Sequence, residues 1–161
     1  MNEILAKWQS LESRPFGSKI FSFMLGRMAR YTGTIGAHVR ELRPGYARVE
    51  MRDRAAVRNH LRSVHAIALM NLAEVSTGLA TITGLPAETR SILTGLSIEY
   101  VKKARGTLTS EANAPVFDVV TERQEVEVSA AIKDAAGDVV ATATARWLIG
   151  PKVDRPGAAA S

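Results

Sequence analysis

Residues 66–87 read AIALMNLAEVSTGLATITGLPA, and Glu74 is the single ionisable side chain among them. Leu69, Leu72, Ala73, Ser76, Leu79 and Ala80 fall within about a third of a turn on a helical wheel, which is a broad packing stripe. The remaining positions are also weakly polar, and a helix apolar nearly all round is a buried one. The pattern predicts a helix from about Val64 to Thr83, roughly 30 Å long at 1.5 Å per residue. Gly84 and Pro86 end it.

On either side of that helix the period changes from helical to alternating. Upstream, Thr34 to Arg54 read as a hairpin: Ala47, Val49 and Met51 alternate with Arg48, Glu50 and Arg52, and Pro44-Gly45 occupy the turn centre. Downstream, Leu96, Ile98 and Tyr100 lie on one face of a strand, and Thr107 to Ala112 follow a bend at Ala104-Arg105-Gly106. Val126, Val128, Ala130 and Ile132 line a further strand. A turn at Asp134 to Asp138 leads into a last strand bearing Val139, Ala141, Ala143, Ala145, Trp147 and Ile149. Near the N-terminus, Ile4, Leu5, Trp8 and Leu11 mark a short helix. Phe16, Ile20, Phe23, Met24 and Met28 mark a second amphipathic helix, expected to pack on the domain or on a partner subunit rather than on a membrane surface. The expected organisation is an N-terminal helical segment (1–33), one α+β domain (34–150) in which an antiparallel sheet wraps the long helix, and a disordered tail (151–161).

Composition narrows the function classes. Hydrophobic residues make up 46% of the 161 and charged residues 23%, which is globular. The +5 net charge is spread along the chain, and aromatic residues are only 6%, so stacking platforms for single-stranded nucleic acid are scarce and no nucleic-acid partner is expected. A phosphorylated small molecule suits the charge as well. Absence of cysteine excludes disulfides and thiolate chemistry. The first residues lack a secretory pattern and no run of about 18 apolar residues occurs, so a cytoplasmic protein without a membrane span is expected. His60 and His65 lie five apart with no nearby acid, so no metal site is expected.

The stretch Arg58-Asn59-His60-Leu61-Arg62-Ser63-Val64-His65-Ala66, with Ile98-Glu99-Tyr100-Val101-Lys102-Lys103-Ala104-Arg105-Gly106, resembles the hotdog-fold thioesterase-like superfamily over about residues 34–150. It is most similar to a branch with an Asn-His…Val-His-Ala signature. In the phenylacetate-pathway and 4-hydroxybenzoyl-CoA thioesterases of that superfamily, His-Gly-Gly opens the central helix. An acidic residue follows nine positions after the histidine, and an amide side chain lies six before it. Here His65 has Glu74 nine residues later and Asn59 six earlier, while the two glycines are replaced by Ala66 and Ile67.

The resemblance implies hydrolysis of an acyl-CoA or acyl carrier protein thioester in a pocket between the subunits of a homodimer or homotetramer, with no cofactor beyond the coenzyme A of the substrate. Glu74 would serve as general base or nucleophile, and Asn59 would orient water or thioester. His65 would cap and orient the helix start more than it transfers protons. The Ala66 N–H, at the positive end of the helix dipole, would hold the thioester carbonyl. Ile67 would narrow an approach that glycine leaves open, and Lys102, Lys103 and Arg105 would meet the phosphates of coenzyme A. For each residue a structural role stands beside the functional one: Glu74 solvated or paired with an arginine, Asn59 closing a turn, the basic trio a solvated strand end. Two other readings remain at this point: a non-catalytic acyl-CoA or fatty-acyl binding or sensing protein, and a purely structural interaction domain.

Overall fold

The computed structural model describes residues 2–152. The tail expected from 151 onward lies outside the described residues except for Pro151 and Lys152. Pro151 ends the last strand, and the Lys152 N–H donates to the Glu88 carbonyl (2.8 Å).

Three helices come first, α1 (Glu3–Leu11), α2 (Gly17–Met28) and α3 (Arg30–Gly33). The hairpin β1 (His38–Arg43) and β2 (Tyr46–Met51) leads to the long helix α4 (Ala66–Thr83), and the strands β3 (Thr89–Tyr100), β4 (Leu108–Asn113), β5 (Gln124–Lys133) and β6 (Val139–Pro151) complete the chain. The six strands form one antiparallel sheet in the order β1-β2-β4-β5-β6-β3, leaving β1 and β3 as its edges. The sheet curls around α4, whose Leu69, Leu72, Ala73, Ser76, Leu79 and Ala80 are all buried, as their helical spacing predicts. Opposite them lie the inward positions of the strands: Val49 and Met51 of β2, Leu108 of β4, Ile132 of β5, and Ile149 of β6. By length and composition α4 could cross a bilayer, but 67% of it is buried within the protein, as befits a core helix.

Turn chemistry explains the sheet's corners. Gly45 has φ +71° at the third position of Arg43-Pro44-Gly45-Tyr46, where only glycine is at ease, and a Cβ there would stand 2.5 Å from the Ala114 carbonyl oxygen. At the β5–β6 turn, Asp134 Oδ1 accepts the N–H groups of Ala136 and Asp138, closing an Asx turn with Gly137 at φ +87°.

Three expectations from the sequence are corrected. The central helix starts at Ala66 rather than Val64, because the Val64 and His65 N–H groups donate to Ala104 (2.9 Å) and Val57 (2.8 Å) across extended backbone. β3 begins at Thr89, well before the alternating run, because a register shift between Leu93 and Gly95 breaks the period. On α2, packing within the chain is done by Gly17 and Phe21, which sits edge-on to Trp8 of α1 with ring centres 5.2 Å apart, so of the two expected partners for the apolar stripe the domain itself covers little of it. Phe16, Ile20, Phe23 and Met28 face outward instead.

Candidate active site at the start of the central helix

The segment before α4 is built on Asn59. Its Oδ1 accepts the N–H of Leu61 (2.9 Å), the N–H of Ser63 (3.2 Å) and the Ser63 hydroxyl (3.3 Å). The turn it closes puts Arg62 at φ +55°. Asn59 therefore does serve as the turn residue, but only through its oxygen: among the described residues its Nδ2 donates to nothing. Asp53 secures the loop from beneath, accepting Arg58 Nε (2.6 Å) and the Gly106 N–H (3.1 Å). That Arg58 hydrogen bond, with the Gly106 amide and the Arg58 and Arg105 charges, holds the Asp53 carboxyl below the usual range against the opposing effect of burial.

His65 is the N-cap of α4. Its backbone is extended, and its Nδ1 accepts the Ile67 N–H at 3.1 Å. This consumes the Ile67 amide. The Ala66 N–H has no acceptor within the helix and finds none among the described residues, so it is the donor left at the positive helix end. The Tyr100 hydroxyl donates to the Ala66 carbonyl (3.1 Å), tying the end of β3 to the first helical residue. The sequence pattern does not single out Tyr100 for this place; its position at the end of the alternating run, just before the basic trio, is the one signal pointing to it.

Glu74 stands two turns further along, on the side of α4 away from the packing stripe. It is half-buried, and its carboxylate has no hydrogen-bond or ion-pair partner among the described residues. It is not paired with an arginine among the described residues, and the residue is only partly exposed. Half-buried Met70 and the outward Ile67, 49% exposed, lie between it and the helix start. Asn71, one turn before Glu74, is buried; its Nδ2 donates to the Tyr31 carbonyl (3.3 Å), while Oδ1 has no partner among the described residues. An orphaned buried acceptor of this kind is uncommon, and it borders the face that carries the carboxylate.

The Val64–Ala104 hydrogen bond brings the basic trio beside the helix start. Its members differ. Lys102 Nζ is held by Asp134 (2.8 Å) and Asp138 (2.6 Å), so its charge is already matched. Lys103 and Arg105 are exposed and have no ion-pair partner among the described residues. His60 is exposed, and no group of three His, Asp or Glu side chains able to hold a metal occurs among the described residues.

Residues 17–149 match a family described as a domain of unknown function, DUF4442. The chain belongs to that family. No curated protein matches it. Among solved structures, a structural-genomics target is similar at 31% identity, with a TM-score of 0.76 over 92% of this chain and 98% of the other. A probable thioesterase of unknown function from Pseudomonas aeruginosa is 23% identical (TM-score 0.68, 78% of this chain, 90% of that one). A thioesterase from Haemophilus influenzae is 10% identical (TM-score 0.69, 83% and 92%). The last two likenesses are of fold alone: this chain shares its architecture, an antiparallel sheet around one long helix, with proteins named thioesterases.

Proposed function

We infer that this protein hydrolyses an acyl thioester of coenzyme A or of an acyl carrier protein. The observation that carries the reading is the half-buried, unpartnered carboxylate of Glu74 on the same helix as an unused Ala66 N–H. The Ala66 N–H holds the carbonyl oxygen and stabilises the negative charge that builds there on attack. Glu74 takes a proton from water as its oxygen bonds to the carbonyl carbon. Collapse of the tetrahedral intermediate breaks the C–S bond, and the proton passes to the departing thiolate, leaving acid and thiol.

Helix geometry favours water over direct attack within one chain. Ala66 and Glu74 are separated by about 12 Å along the axis, and a helical side chain slants toward the N-terminus, which narrows but does not close the gap. A carbonyl and an intervening water fill a space of that order. A second subunit offers another way to close it. Among the described residues, β3 leaves the outer edge of a twelve-residue strand unpaired, and such an edge is a template for pairing with another chain. Assembly into a homodimer or homotetramer, with the pocket completed between subunits, belongs to the proposal. So does a cytoplasmic location, and a reaction needing no metal or other cofactor. Lys103 and Arg105 are the better candidates for the coenzyme phosphates, since Lys102 is bound to two aspartates.

Ile67 favours a second reading. Its branched side chain stands between the free amide and Glu74, where the catalytic relatives have glycine, and a domain that binds acyl-CoA without turning it over would have the same surroundings. Thiol release from short, medium and aromatic acyl-CoAs, with Glu74→Ala beside wild type, separates the two. Tight binding without thiol release supports the binding protein, and equal release by both proteins removes Glu74 from the mechanism.

A further inference from the structure

A cavity of about 960 Å³ lies between α2, α3 and the start of β1, apart from the residues assigned to thioester chemistry. Lys19, Arg27, Arg30, His38 and Arg52 line it, and no acidic residue does among the described residues. The four lysine and arginine side chains have no ion-pair partner among the described residues, unlike Arg40, Arg43, Arg48 and Arg58 of the neighbouring segments. Burial, then the Arg40 charge, and further on Lys19 and Arg52, lower the pKa of His38, while Glu50, itself bonded to Arg40 at 2.7 Å, opposes them.

The cavity is built into the fold. Ser18 Oγ and His38 Nε2 are hydrogen-bonded at 3.0 Å, and Ser22 Oγ accepts the Val39 N–H at 2.9 Å, fixing α2 across β1. Behind it, α2 meets α3 at two glycines: a Cβ on Gly33 would lie 2.7 Å from the Gly26 carbonyl oxygen.

Beside this basic hollow, Ile20 (46% exposed) and Phe23 (70%) of α2 and the N-cap residue Phe16 (72%) stand exposed, as do Met28 and Tyr31. So many large apolar side chains in one short segment call for a covering. A second copy of the chain docked by a twofold axis would set the same uncompensated cations against each other. A soluble phosphate would satisfy the cations and leave the apolar face in water. An interface offering negative headgroups above hydrocarbon satisfies both.

We propose that α2 and this cavity dock the protein on an anionic phospholipid surface, a headgroup phosphate entering among Lys19, Arg27 and Arg30 while Phe16, Ile20 and Phe23 enter the acyl boundary. Attachment is peripheral, and α4 stays in the core.

The test is co-sedimentation of the full chain with phosphatidylcholine vesicles, with and without phosphatidylglycerol, at low and high salt. Wild type is expected to partition onto the anionic vesicles, less so in high salt. Arg27→Gln with Arg30→Gln is expected to weaken that partition about 25-fold, at about fivefold per charge, and Phe23→Ser about tenfold. All three positions are exposed, so thermal midpoints should match wild type. Failure to partition, or partition indifferent to lipid charge and to these substitutions, overturns the proposal. So does calorimetric binding of glycerol phosphate, lost in the double variant, without vesicle binding: that would assign the cavity to a soluble ester. These readouts do not depend on thioester hydrolysis, and the variants should keep the solution activity of wild type.

Discussion

His65 Nδ1 accepts the Ile67 N–H at 3.1 Å, so the histidine that opens the central helix spends one ring nitrogen on capping it. A nitrogen that accepts that bond carries no proton, and the other ring nitrogen holds the hydrogen. His65→Ala should therefore cost about 1 kcal/mol of stability, a drop of about 3 °C in thermal midpoint for a domain of this size. His65→Asn should restore most of it, since asparagine is a preferred cap. Thiol release by His65→Asn should stay within a few-fold of wild type. A stable His65→Asn protein with no activity would show that the imidazole moves protons after all.

Glu74 lends itself to the opposite test, because function and stability should part there. Its carboxylate makes no hydrogen bond or ion pair among the described residues, so Glu74→Gln removes a half-buried charge and should leave the thermal midpoint unchanged or slightly raised. General-base catalysis contributes typically 10²–10⁴-fold, so kcat for thiol release should fall about 100-fold or more. Loss of stability without loss of rate would mark Glu74 as structural.

How far the sequence could be read depended on the range of the interactions involved. The burial of α4 and the strand faces were legible because period and burial are local, repeated over many residues. The nine- and six-residue spacings around His65 were legible because Asn59, His65 and Glu74 lie on one continuous loop and helix. Pairings across the sheet were not. Lys102 looks like an available cation until the β5–β6 turn brings Asp134 and Asp138 to it. The stripe on α2 reads as a packing face until Gly17 and Phe21 take the inner side, because amphipathicity shows that two faces differ and not which surface will cover the apolar one. Nor does any local pattern reveal that Asn71 keeps an unpaired oxygen in the protein interior.

Asn71 yields a prediction of its own. Burying an acceptor without a donor costs about 1–3 kcal/mol, a cost that evolution removes easily unless the group is used. Asn71→Leu deletes the orphan together with the hydrogen bond to Tyr31, so its stability should change by less than about 1 kcal/mol. If the oxygen meets a substrate N–H, KM for the acyl-CoA should rise several-fold with kcat little changed. An unaltered KM would leave the amide as packing alone.

The Asp53–Arg58 pair sets the acid sensitivity of the loop that carries Asn59 and His65. The folded pKa of Asp53 is lowered, chiefly by its Arg58 hydrogen bond. The unfolded chain therefore binds its proton first as pH falls. The stabilisation is complete above the unfolded value of about 3.9 and is lost as pH drops through the lower folded value. Thermal midpoints of wild type and Asp53→Asn should differ at neutral pH and converge below about pH 4. Curves that stay parallel through that window would show that the pair contributes nothing to folding.

Asn59 is the residue whose two roles can be separated by a single atom. Its Oδ1 holds the turn through Leu61 and Ser63, while its Nδ2 has no acceptor among the described residues. Asn59→Asp keeps an oxygen for those three donors and replaces the amide nitrogen with a second oxygen. The turn, and with it the thermal midpoint, should survive, whereas Asn59→Ala should lose about 1–3 kcal/mol as buried donors are left unpaired. If Nδ2 steers the water or the thioester, Asn59→Asp should still lower kcat/KM about tenfold or more, both by loss of the donor and by placing negative charge near a developing oxyanion. An aspartate variant with wild-type kcat/KM would confine Asn59 to the architecture of the loop and leave Ala66 and Glu74 to carry the chemistry.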